Sequence, residues 1–66
     1  MENEVVSIMK NMEGQFEDAA LDAQKFANGN NSAGTRVRKT MQNIKNLAQQ
    51  VRTEVQYQKN RTTVLA

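Results

Sequence analysis

The chain contains no cysteine, no histidine, no proline and no tryptophan, and its aromatic residues are one tyrosine and two phenylalanines. Without cysteine there is no disulfide to staple a small fold, and nothing hints at an oxidising compartment. Without histidine as well, the common transition-metal sites are excluded, and acid–base chemistry would fall to carboxylates alone. Those carboxylates stand at spacings typical of a solvated helix surface, so no enzyme, no metal and no cofactor is expected. The scarcity of aromatics removes the stacking platforms that single-stranded nucleic acids use. Apolar runs reach only two or three residues, too short for a membrane span or the core of a signal peptide. A cytoplasmic protein with no membrane partner is the expectation.

Charge is present but unevenly placed. Residues 1–27 carry six acids (Glu2, Glu4, Glu13, Glu17, Asp18, Asp22) against Lys10 and Lys25, a balance of −4, while residues 28–66 carry seven bases against Glu54, a balance of +6. The net charge of +2 hides this split. Such an asymmetry points to an anionic partner for the second half, and to solvation or pairing for the first.

Apolar residues in the first half recur at Val5, Met9, Met12, Phe16, Ala19, Ala23 and Phe26, an alternation of four and three that predicts an amphipathic helix over about 4–27. The second half repeats it at Val37, Met41, Ile44, Ala48, Val51 and Val55, predicting a helix over about 35–60 and a short C-terminal tail holding Val64 and Leu65. Between them, residues 28–34 are turn formers: Gly29 suits a left-handed helix end, and Ser32 or Thr35 suits the N-cap of the second helix. Gly14 is a local conflict, costing about 1 kcal/mol relative to alanine in a helix interior.

The fold class expected is therefore all-α, with residues 1–66 as one antiparallel helical hairpin. Folding back at the turn sets Phe26 by Val37, Ala23 by Met41, Ala19 by Ile44, Phe16 by Ala48, Met12 by Val51 and Met9 by Val55, several of them small against large. Val6, Ile8, Ala20, Ala27 and Leu47 are left beside this seam. Burying them calls for self-association, and a homodimer forming a four-helix bundle is the leading architecture.

Arg36, Arg38 and Lys39 fall in the opening turns of the second helix, where the macrodipole disfavours cations, a conflict that an anion nearby would relieve. With Ser32, Gly34 and Thr35 they suggest a phosphate-binding end of free amides, hydroxyls and guanidinium groups. Farther on, Arg38, Lys45, Arg52 and Lys59 repeat every seven residues and line one edge over about 31 Å, close to one turn of B-form DNA. Arg61 extends the basic set. Asparagines and glutamines between these cations offer neutral hydrogen bonds to phosphate. Double-stranded DNA, bound non-specifically through its backbone, is the partner this pattern implies. A rival from another class is a scaffolding bundle whose acidic and basic surfaces pair between copies.

The block Asn28-Gly29-Asn30-Asn31-Ser32-Ala33-Gly34-Thr35-Arg36-Val37-Arg38-Lys39, followed by Ile44, Leu47 and Val51-Arg52, resembles the central signature of the bacterial linker-histone-like nucleoid proteins. The resemblance implies a nucleoid-associated protein that binds DNA without sequence preference and helps compact it, with Arg36, Arg38 and Lys39 in contact with DNA. Many members carry more lysine and alanine along the second helix and tail, where this chain has glutamine and asparagine.

Overall fold

In the computed structural model, residues 3–65 are described, with side chains described for 3–61. They form two helices, α1 (Glu4–Ala27) and α2 (Asn31–Leu65), folded back on each other as an antiparallel hairpin, and no strand occurs among the described residues. The side chains of Val64 and Leu65 lie outside the described residues.

The reversal between the helices takes three residues. The Asn30 amide donates to the Lys25 carbonyl and the Gly29 amide to the Phe26 carbonyl, both at 3.0 Å, the paired bonds of a Schellman ending. Gly29 sits at φ +102°, in the region that L side chains rarely adopt, so glycine is what allows so short a turn. Asn30 then caps α2 immediately: its Oδ1 accepts from the Ala33 amide at 3.0 Å. The second helix thus begins at Asn31, four residues before the expected start at Thr35, and it runs past residue 60 to Leu65. Neither Ser32 nor Thr35 is the N-cap, because Asn30 reaches the amide three residues on before either is needed.

At the open end of the hairpin, Asn3 has two tasks. Its Oδ1 accepts from the Val5 amide at 2.8 Å and so caps α1. The same side chain exchanges amide hydrogen bonds with Gln58 across the helices, at 2.9 and 3.1 Å. This clasp sets the register, and α2 beyond Gln58 overhangs the start of α1.

The seam differs from the expected one by a rotation of both helices. Inward-facing residues on α1 are Val5, Ile8, Met12, Gln15, Ala19 and Asp22, and on α2 they include Val37, Thr40, Ile44, Leu47, Val51 and Glu54. The positions Val5, Met12, Ala19, Val37, Ile44 and Val51 are common to both patterns. Met9, Phe16 and Met41 are instead 45%, 52% and 39% exposed, and Val55 is exposed as well. Ile8 and Leu47, expected beside the seam, are in it. The apolar stripe is wider than two helices can close on; in the observed rotation Asp22 accepts from Arg36 across the hairpin, and Glu54 accepts from Gln58 one turn on in α2. Phe26 packs not only by Val37 but over Gly34, where an added Cβ would lie 2.5 Å from the ring.

Full burial is sparse. Among the described residues the buried apolar side chains are Ile8, Ala19, Ala33 and Ile44. The hairpin measures 56 × 20 × 11 Å with a radius of gyration of 16.0 Å, against about 11 Å for a compact chain of this length.

Two glycine substitutions separate the turn from the helix interior. Nothing lies within 4 Å of a Cβ built at Gly14, so Gly14→Ala should stabilise by about 1 kcal/mol and raise the melting temperature by about 4–8 °C. Gly29→Ala should lower stability by about 1 kcal/mol or more because of its positive φ. Thermal unfolding followed by circular dichroism reads both, and shifts of the same sign would contradict this placement of the turn.

Candidate nucleic-acid interface

All seven bases of the second half, Arg36, Arg38, Lys39, Lys45, Arg52, Lys59 and Arg61, are exposed on α2. Their environments differ. Arg38, Lys45, Arg52 and Lys59, spaced by seven, follow one edge of the helix, and Lys39 stands one step farther round. No ion pair or side-chain hydrogen bond among the described residues engages Arg38, Lys39, Lys45 or Arg52.

Near the start of this edge, Thr35, Arg38, Lys39, Met41, Gln42 and Lys45 border a shallow hollow of about 600 Å³. Four of the residues anticipated from sequence therefore come together, and Met41 and Gln42 join them from the same helix face. A second depression farther along is bordered by Gln49, Arg52, Thr53, Gln56 and Tyr57. Open hollows edged by cations and neutral amides fit a broad, flat polyanion better than a small enclosed ligand.

Arg36 is separated from Arg38 and Lys45. Its Nε donates to Asp22 Oδ1 at 3.1 Å, on the opposite flank of the hairpin, in a depression bordered also by Asp18, Lys25, Thr40 and Lys39, so that Lys39 borders both depressions. Acidic and basic halves thus do meet, but within one hairpin at this point. Gly34 is covered by the Phe26 ring, so its role is close packing of the turn. Ser32 is exposed in the first turn of α2. Because α2 starts at Asn31, Arg36, Arg38 and Lys39 lie beyond the first turn, where the macrodipole has largely faded. The expected convergence of amides and guanidinium groups at a helix start gives way to an array along the helix.

Arg61 lies over the Tyr57 ring, its guanidinium carbon 5.9 Å from the centroid. Sequence reading passed over this contact, although the i, i+4 spacing signals it. No group of His, Cys, Asp or Glu suited to a metal ion occurs among the described residues. No helix of the described chain is long and apolar enough to cross a membrane.

The family model for Histone H1-like protein Hc1 matches residues 7–61, which takes in most of both helices and the whole turn. The chain belongs to that family. No curated protein and no solved structure matches it. The family is one of DNA-binding chromatin and nucleoid proteins with a structural, not an enzymatic, role.

The Arg36–Asp22 contact has side chains 48% and 16% exposed, so it should be worth less than about 1 kcal/mol. Asp22→Ala, which also gains helix propensity, should change urea-unfolding stability by no more than about 0.5 kcal/mol. A loss above about 2 kcal/mol would show that the pair anchors the hairpin.

Proposed function

We propose that this histone H1-like protein binds duplex DNA without sequence preference, by phosphate contacts along the outer edge of α2, and helps organise or compact DNA in the nucleoid of the cytoplasm. The observation that carries this reading is the line Arg38, Lys45, Arg52, exposed, spaced by about 10 Å along the helix and without ion-pair partners among the described residues. Lys59 continues it to about 31 Å, the scale of one helical turn of DNA.

Phosphate spacing is finer than this cation spacing, so the contacts form a loose electrostatic track. Lys39 and the neighbouring amides of Gln42, Asn46 and Gln49 fill in between. Bidentate base recognition needs side chains held in fixed poses inside a groove. The exposed, unbraced Arg38 and Arg52 suit phosphate instead. Arg36 contributes less, since binding phosphate competes with its bond to Asp22. The functional unit in this reading is two copies, which doubles the number of cationic edges available to DNA.

With about four phosphates neutralised per protomer, the log of the binding constant should fall with log salt at a slope near −7 for the two-copy unit. Fluorescence anisotropy with duplexes of unrelated sequence measures it, and a flat salt response removes the mechanism. The double substitution Arg38→Ala/Lys45→Ala should weaken all duplexes equally and make the slope shallower by about 2 per protomer. Arg36→Ala should have the smaller effect; the reverse order would move the site to the turn.

A further inference from the structure

We infer that Tyr57, standing between Arg52 and Arg61 near the end of α2, is a stacking site for an unpaired nucleobase, so that the chain also holds single-stranded nucleic acid across the outer face of this helix. The inference rests on the phosphate reading of α2 and adds to it a second class of strand.

The chain has few aromatic rings, and their surroundings separate them. Phe26 lays its ring against Gly34 in the turn, and Phe16 stands exposed on the flank with Met9, Met41 and Val55. Tyr57 is the ring with a cation over it: the Arg61 guanidinium carbon lies 5.9 Å from the centroid, at the outer limit of a cation–π contact. Tyr57 is 56% exposed and takes no part in the helix seam, because α1 begins level with its neighbour Gln58, where Asn3 closes the hairpin. The hairpin thus holds together without this ring.

Arg52 precedes Tyr57 by five positions and Arg61 follows it by four, so the two arginines stand about 7.5 and 6 Å from it along the helix axis. Five positions also turn about 140° round the helix. Arg52 and Tyr57 therefore lie on opposite rims of the outer face, and the hollow between them, of about 490 Å³, is bordered by Gln49, Thr53 and Gln56. A strand crossing this face meets a guanidinium group on either side of the ring for its phosphates, and amides and a hydroxyl for the edge of a base.

Two arguments select an unpaired base as the occupant. A track for phosphates alone has no use for an aromatic ring, whereas every base has a π face, and an exposed ring among arginines holds single strands without sequence preference. In a duplex both faces of a base are already stacked, so a ring beside it gains nothing until the base leaves the stack. The duplex edge and the stacking face share Arg52 and diverge from it in direction round α2.

Because the chain has one tyrosine and no tryptophan, its intrinsic emission reports Tyr57 alone. With absorption by the bases corrected, an oligothymidylate of about a dozen nucleotides should quench that emission by about half or more, while a duplex of the same length and inorganic polyphosphate should leave it within about a tenth. In anisotropy titrations, Tyr57→Leu should weaken single-strand binding about fivefold or more, Tyr57→Phe should stay within about twofold, and both should keep duplex affinity within about twofold. Should leucine alter the helix content seen by circular dichroism, the emission of the unaltered chain decides. Unchanged emission with the single strand, equal quenching by polyphosphate, a phenylalanine variant as weak as the leucine one, or equal losses on single strand and duplex would overturn the inference. A flat salt response on duplex, with Tyr57 still quenched by the single strand, fails the phosphate reading alone.

Discussion

The three-residue reversal at Asn28–Asn30 is the constraint on which the rest of this molecule depends. By closing α1 with two backbone hydrogen bonds and starting α2 at once, it fixes where the second helix begins and with which rotation it returns. The Asn3–Gln58 amide clasp at the far end holds the same register. Between these two fixed points the helices have little freedom to roll. Every later property, including which cations face outward and which apolar residues stay open, follows from that rotation.

The rotation sorts the surface by chemistry. One flank becomes polar and internally paired, with Arg36 on Asp22. The other flank keeps large apolar side chains in the open, and beside it the outer edge of α2 carries exposed arginine and lysine. A hairpin this thin cannot afford a deep core, with four buried apolar residues among those described. Its side chains therefore lie mainly at the surface, cationic along one edge of α2 and apolar on the flank beside it. Membership of the histone H1-like family accords with a chain whose chemistry lies on its outside.

Much of this was legible in the sequence because helical periodicity survives without long-range information. The all-α hairpin and its turn glycine follow from spacing and from the residue types that tolerate a left-handed conformation. The exact seam did not. Val5, Met12, Ala19 and their partners fit two neighbouring stripes equally well, and hydrophobicity alone favoured the one with Met9, Phe16 and Met41. The observed rotation brings Asp22 to Arg36 across the hairpin, a contact between residues close only after folding, while Glu54 accepts from Gln58 one turn on in the same helix. The start of α2 was misplaced for a similar reason: the sequence offers several good caps in a row, and Asn30 acts first because the Schellman turn already delivers it there. That early start also changed the site. Arg36, grouped with Arg38 by adjacency, went to the opposite flank because successive helix positions diverge by about 100°.

The central claim is that duplex DNA rests along the outer edge of α2, not at the turn. Amide chemical shifts of the isotopically labelled chain, followed by nuclear magnetic resonance during titration with a short duplex, test it most directly. The account predicts perturbations recurring with helical period around Arg38, Lys45, Arg52 and Lys59, with Asp18 and Asp22 little changed. Perturbations confined to residues 28–36, or centred on α1, would contradict it.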